Sequence, residues 1–404
     1  MPKLFIAGSG LDMFDKREVA EKVVKMASTK KREIPDAKLK FIYIGAASYD
    51  LHAEFQQQTK HFEDLGCEIV KIDLVQLPTS TATEQGEETP FFIRVADIKN
   101  KSRFLKFKLM RLHESILQTY KTEVENADII FVSGGNFRFL MNRLKSSGFD
   151  KILVDKAKSE DGTVFCGGSA GLQVYFESAH SDAMNPKICL NPKLAEFYDD
   201  LQKQMVNDFL QTDFPSAVGA TITEEQQNSW KYVRVEGLGL IPGMVVPHAD
   251  LVSSSEYIQV VTPSGTETVK VNKIRQLEYQ EMSKELFKKR GTERGVCVDH
   301  YCALIIDGDQ YEVWPLPGDY PGSTIIKNNV LVYSKERKGK PGIWIREFDG
   351  EGAHHVHALP DVGSIDDLYR SGEKVGTPDE LEKCDLQNPD PWEIPFPKVV
   401  ADPI

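Results

Sequence analysis

Ser169 stands at the centre of Gly167-Gly168-Ser169-Ala170-Gly171, directly after the apolar run Val164-Phe165-Cys166. A G-x-S-x-G pattern entered from an apolar run is that of a nucleophile elbow, where a strand turns sharply into a helix and holds one hydroxyl out at the turn. The glycines serve the turn, because a Cβ beside it would crowd the backbone. The helix that follows would aim its free N–H groups, and the positive end of its dipole, at the serine. The N–H of Ala170 would then stabilise a developing oxyanion. A serine hydroxyl is too weakly acidic to attack an amide unaided, so a base has to take its proton. His248 is the candidate, since imidazole titrates near ~6.5 when unperturbed. Pro247-His248 follows an apolar run over 237–246, which places the histidine at the carboxyl end of a strand, where chemistry gathers in open α/β sheets. Cys166 is a rival nucleophile for amide transfer, but it lies in the strand before the turn rather than at its apex.

The elements able to position these residues follow from hydrophobic pattern. Residues 4–7, 39–44, 67–74 and 127–132 are apolar, strand-like runs, and 17–31, 51–65 and 102–122 carry a helical period. Two further helices, 137–147 and 149–159, precede the elbow strand. Apolar strands alternating with helices predict a parallel sheet covered on both faces. A polar loop is expected over 78–90, and an amphipathic helix within 191–214. Beyond these come a hairpin around Thr262-Pro263-Ser264-Gly265 and a helix over 273–290. A second hairpin joins 295–306 to 310–314 at Asp307-Gly308-Asp309. From 315 onward proline and glycine are frequent and the strands are short, so this part reads as an extension packed on the main domain.

A chain of 404 residues has room for two domains or one large decorated one. With 41% hydrophobic and 27% charged residues it has the composition of a soluble globular protein. Its net charge of -12 argues against general nucleic-acid binding, which needs a basic footprint. No apolar window is long enough to span a bilayer, and the first residues read as a strand rather than a signal peptide. The six cysteines form no C-x-x-C pair, so neither a zinc site nor a redox motif is expected, and a reducing cytoplasm is the simplest compartment. His354, His355 and His357 lie in a glycine-rich stretch and read as a solvated cluster rather than a metal site.

Three segments now line up: Ser133-Gly134-Gly135-Asn136 after one strand, the elbow after the next, and Gly237-Leu238-Gly239-Leu240-Ile241-Pro242 leading to Pro247-His248. Their order and wording resemble the dipeptidase E and cyanophycinase family of serine peptidases. Arg294-Gly295-Val296-Cys297-Val298-Asp299, leading into Ala303-Leu304-Ile305-Ile306, is a further match. The resemblance implies a flavodoxin-like three-layer α/β sandwich with a mostly parallel central sheet, related in shape to class I glutamine amidotransferases. Residues 1–314 would form the catalytic domain, with insertions near 77–102, 190–230 and 250–272, and 315–404 a β-rich C-terminal extension. The implied activity is hydrolysis after an N-terminal aspartate in short peptides. Cleavage of an aspartate–arginine polymer is the alternative, and a silent, peptide-binding member a third reading.

The resemblance also implies roles. Ser169 and His248 would be joined in a triad by an acid shortly after the elbow helix, Asp182 or, failing that, Glu177. His180 matches no motif of the family. The N–H groups of Gly135 and Ala170 would form the oxyanion hole, with Asn136 steadying the adjacent turn at the substrate site. Arg275 would grip the substrate's carboxylate with two bonds. The expected partner is a small peptide with aspartate at the cleavage site, with no cofactor, metal, nucleic acid or membrane, and with a homodimer left open.

Overall fold

The computed structural model describes residues 2–29, 37–74, 103–183, 232–262, 265–275, 294–320, 322, 324–327, 330–333, 340–348 and 354–368. The expected loop over 78–90, the expected helix within 191–214 and two of the three expected insertions, near 77–102 and 190–230, lie essentially outside them.

Among the described residues two sheets dominate a mixed α/β fold. The larger has eight strands, in the order Val362–Ser364, Gln310–Pro315, Cys302–Asp307, Lys3–Ala7, Val164–Gly168, Ile129–Val132, Lys40–Ile44 and Glu68–Ile72. The last five run parallel, and the first three are added antiparallel. Alternate residues of each strand face opposite sides. Phe5, Phe41, Tyr43 and Phe131 pack against the helices Arg17–Ala27 and His52–Asp64. Leu4, Ile6, Ile42 and Val132 pack against Phe137–Ser147 and Phe149–Lys158. Both helix layers follow from the apolar runs, which offer burial on both faces. Phe131 stacks on Phe41 and Tyr43 and meets Phe14 edge to face, so truncating it to alanine would cost about 3–5 kcal/mol.

The second sheet has six strands, in the order His354–Ala358, Ile343–Phe348, Arg294–Val298, Ile241–Val246, Phe176–Ser181 and Val233–Glu236. Its Val245, Val296 and Ile345 join the core on the Leu4 face of the first sheet. Beside the parallel strands expected of the central sheet, the fold thus has antiparallel additions and a second sheet of mixed pairings. The apolar run over 295–306 proves to be two strands in different sheets, broken at Asp299, His300 and Tyr301. Asp299 anchors the break, its carboxylate accepting bonds from the Gly342 N–H (3.0 Å) and Trp344 Nε1 (2.9 Å). The hairpin turning at Asp307-Gly308-Asp309 forms as expected.

Val252–Thr262 and Gly265–Ile274 form the other expected hairpin. Lys273 and Ile274, expected in a helix, are strand residues there, and 276–293 lie outside the described residues. The histidines at 354, 355 and 357 fall in a strand rather than a loop. No described helix is long and apolar enough to cross a membrane.

Candidate active site

The strand Val164–Gly168 ends at the rim of the larger sheet, and Ser169 turns the chain into the short helix Ala170–Gln173. Ser169 has φ 55° and ψ -114°, a conformation that costs a non-glycine residue about 1–3 kcal/mol. The surrounding bonds hold it: its N–H donates to the Ala7 carbonyl (3.1 Å), and its own carbonyl accepts from Leu172 and Gln173 (3.0 Å each). Gly168 is required by this turn, since a Cβ there would stand 1.9 Å from the Ser9 carbonyl oxygen. His248 is also left-handed, at φ 50°, with its N–H bonded to the Gly8 carbonyl at 3.0 Å. Of the five non-glycine residues with positive φ among those described, Tyr49, Ser169 and His248 all line one cleft. Backbone strain gathered in this way is characteristic of functional sites.

Across that cleft His248 Nε2 lies 2.8 Å from Ser169 Oγ. The two residues are 79 positions apart in sequence, and each comes from the carboxyl end of a strand in a different sheet. Burial, then the neighbouring His300 and Arg275, hold the His248 imidazole well below the usual histidine range. It is therefore neutral near pH 7 and able to accept a proton. Gly135 lines the same cleft, and Ala170, which follows Ser169, is buried directly behind the turn. Gly135 has φ 132°, and a Cβ there would stand 2.2 Å from the Ala47 carbonyl oxygen, so only glycine fits. Asn136 caps the helix that begins at Phe137, its Oδ1 accepting from the Phe139 N–H at 3.0 Å, and its Nδ2 reaches the Tyr49 hydroxyl at 3.3 Å.

Two expected residues are placed elsewhere. Ala179 pairs with Val245 in parallel strands, so Asp182 leaves its strand level with His248. Its carboxylate nevertheless turns away and accepts from Arg275 Nη1 at 3.2 Å. Asp182 is thus not the partner of His248 Nδ1. Glu177 is committed too, accepting from the Gly243 N–H at 3.0 Å. Arg275 is buried, bonded to the His180 carbonyl at 2.9 Å and stacked over Tyr232, and it does not line the cleft. Its guanidinium is spent inside the protein, so the carboxylate-gripping role does not fit its position.

The residue that does meet His248 Nδ1 is His300, whose own Nδ1 lies 2.8 Å away. On the other side His300 Nε2 faces the Asp12 carboxylate at 3.0 Å. Sequence reading passed over both. His300 directly follows the Asp299 motif, but only the pairing of Val246 with Cys297 in neighbouring parallel strands brings the two histidines to one rim. The cleft encloses about 260 Å³. Asp12 and Glu54 are its carboxylates, and no lysine or arginine is among its described lining. Burial raises the Glu54 carboxyl above the usual range. Among the described residues no group of three or more histidine, cysteine, aspartate or glutamate side chains is placed to hold a metal ion.

Residues 77–227 match peptidase family S51. Over this stretch the chain is similar to the family that the glycine motifs resemble. The match takes in Gly135, Ser169 and Asp182 but ends before His248 and His300. An uncharacterized peptidase, Lmo0363, of Listeria monocytogenes is 28% identical over 95 residues, which are 24% of this chain and 44% of that protein. The aligned part thus spans less than half of that relative. A crystal structure of a candidate peptidase E protein from Listeria monocytogenes EGD-e overlaps 78% of this chain and 99% of its own, at 15% identity and a TM-score of 0.37. A peptidase from an acI-B1 Actinobacterium overlaps 90% and 97%, at 12% identity and a TM-score of 0.40. Neither overlap is close enough to carry an inference about fold or activity.

Proposed function

We propose that the protein is a serine peptidase in which Ser169 is the nucleophile and His248 the general base. The observation that carries this reading is the 2.8 Å approach of His248 Nε2 to the hydroxyl of a strained serine at a cleft, in a chain whose elbow segment matches family S51. Ser169 Oγ attacks the scissile carbonyl while His248 Nε2 accepts its proton. The N–H groups of Gly135 and Ala170 are the donors for the tetrahedral oxyanion. His248 returns the proton to the leaving amine, and a water then attacks the acyl-enzyme with His248 again as base.

The substrate proposed is a short peptide with a free N-terminus and aspartate at the cleavage site, as the family resemblance implies. Arg275 has no part in gripping that aspartate. The α-ammonium of such a peptide suits a cleft whose charged lining is Asp12 and Glu54. The test is labelling with a fluorophosphonate probe, followed by hydrolysis of an Asp-X dipeptide series beside the aspartate–arginine polymer. Wild type should label at position 169 and Ser169→Ala should neither label nor hydrolyse. A folded wild type that takes no label would instead indicate a silent, peptide-binding protein.

A further inference from the structure

Chemistry at Ser169 requires the lone pair of His248 Nε2 to face the hydroxyl, which requires the proton of neutral His248 to sit on Nδ1. In a serine triad a carboxylate enforces that tautomer. Here the group facing Nδ1 is another imidazole. Two ring nitrogens 2.8 Å apart must share one proton between them, so one donates and the other accepts. His300 is 8% exposed, and its second nitrogen meets the Asp12 carboxylate at 3.0 Å. A carboxylate accepts only, so Asp12 holds a proton on His300 Nε2 and leaves His300 Nδ1 as the acceptor. The Asp250 carboxylate accepts from the His300 N–H at 2.8 Å, which steadies the backbone beneath the ring.

We propose that His300 and Asp12 replace the triad acid, forming with Ser169 and His248 a relay in which each donor faces one acceptor. The proposal rests on the assignment of Ser169 and His248 above. Ser169 O–H donates to His248 Nε2, His248 Nδ1–H to His300 Nδ1, and His300 Nε2–H to the Asp12 carboxylate. When His248 takes the serine proton, the positive charge on its ring is met by the lone pair of His300 and, through that ring, by Asp12. No proton beyond the serine's need change place. His300 and Asp12 are positioning residues, since neither touches the reacting atoms.

The relay has a consequence that a carboxylate triad lacks. A proton added to His300 Nδ1 makes it a donor, so His248 Nδ1 must accept and its own proton moves to Nε2. The hydroxyl of Ser169 then faces an N–H instead of a base. Either of two protons, one on each ring, can therefore silence the site, and below both titrations the loss follows two protons. The charged and titratable groups around the pair are Asp12 from the first short helix, Asp250 after the strand Ile241–Val246, and Arg275, whose charge reaches His248. The aromatic edge of Tyr301 packs on His300.

The test is the second-order rate of fluorophosphonate labelling at Ser169 across pH 4–9, on the full-length protein, which needs no knowledge of the substrate. Wild type should lose reactivity in acid with a slope steeper than one proton. His300→Ala should slow labelling by about 100-fold or more, the usual worth of a correctly set base. His300→Gln should recover most of the rate, because an amide accepts on one side and donates on the other without ionising. Its acid limb should fall to a single proton. Asp12→Asn, at a side chain 61% exposed, should slow labelling about two- to fivefold, the scale of an exposed charge interaction. Wild-type rates and pH profile in folded His300→Ala, or an unchanged slope in His300→Gln, would overturn the relay while leaving Ser169 and His248 standing. Should His300→Ala not fold, the rate and slope of His300→Gln and Asp12→Asn decide the matter. Wild type that takes no label at all would instead remove the reading beneath it.

Discussion

Asp182 and Arg275 meet at 3.2 Å across 93 residues of chain, and neither is among the residues lining the cleft. This contact takes both residues out of the roles that sequence order suggests for them. It gives a carboxylate partner to a guanidinium that is only 3% exposed, and it takes up an acid that stands level with His248.

Removing Asp182 should therefore cost stability rather than chemistry. Asp182→Ala leaves Arg275 with the His180 carbonyl as a remaining partner, and the acid is 27% exposed, so the loss should be about 1–3 kcal/mol, below that of a fully buried pair. Urea unfolding should show a lowered midpoint, while labelling of Ser169 stays within about twofold of wild type, as for a residue outside the reacting shell. A folded variant that no longer labels would restore Asp182 to the machinery.

Glu54 offers a test of what the cleft prefers. It is held by Gln58, whose Nε2 donates to it at 3.2 Å, and burial pushes its carboxyl up. A raised acid is protonated more readily folded than unfolded, so its ionisation at neutral pH works against the fold. Glu54→Gln should raise the Tm slightly at pH 7. The same change should weaken selection for a free α-ammonium, lowering kcat/KM for a dipeptide toward that of its N-acetyl form. In wild type the preference should fade as pH drops through the raised Glu54 titration. Equal rates on free and acetylated peptides in wild type would dismiss this role.

Cys166 is fully buried, and burial raises its thiol well above the usual range. A thiol so placed is protonated and inaccessible, the opposite of an activated nucleophile. Cys166→Ala should keep labelling within about twofold, at a packing cost of roughly 1 kcal/mol. Iodoacetamide applied to native protein should leave the rate unchanged. Loss of labelling on alkylation of Cys166 would revive the amide-transfer reading.

Stability should also depend on pH through Asp161, whose Oδ2 accepts from Lys156 Nζ at 2.7 Å and whose Oδ1 accepts from Thr163 Oγ1 at 2.6 Å. Burial pushes its carboxyl up, but these bonds outweigh burial and hold it well below the usual range. A depressed acid stabilises the fold above its unfolded pKa of ~3.9 and loses that contribution as pH falls further. Asp161→Asn should lower the Tm at pH 7, and the gap to wild type should narrow below about pH 4. A gap of constant size from pH 7 to pH 3 would contradict the assignment.

Local chemistry made a large part of this molecule readable. The apolar runs predicted the five parallel strands because burial on both faces, as in the four inner ones, demands continuous apolar sequence. The glycines around Ser169 marked a tight turn because their backbone neighbours leave no space for a Cβ. The run over 295–306 was misread as one strand because nothing in its hydrophobic pattern says that the chain changes sheets at Asp299.

Residue types and spacing by themselves determined the strained serine, its following helix and a histidine at a strand end, since each depends on neighbours within a few positions. Which side chain faces the second nitrogen of His248 depended on something no local pattern contains. The pairing of Val246 with Cys297 brought His300 to His248, and that of Ala179 with Val245 left Asp182 level with it. Arg275, a buried cation needing a carboxylate, took the aspartate, and that competition, settled only by packing in three dimensions, left the imidazole to His300.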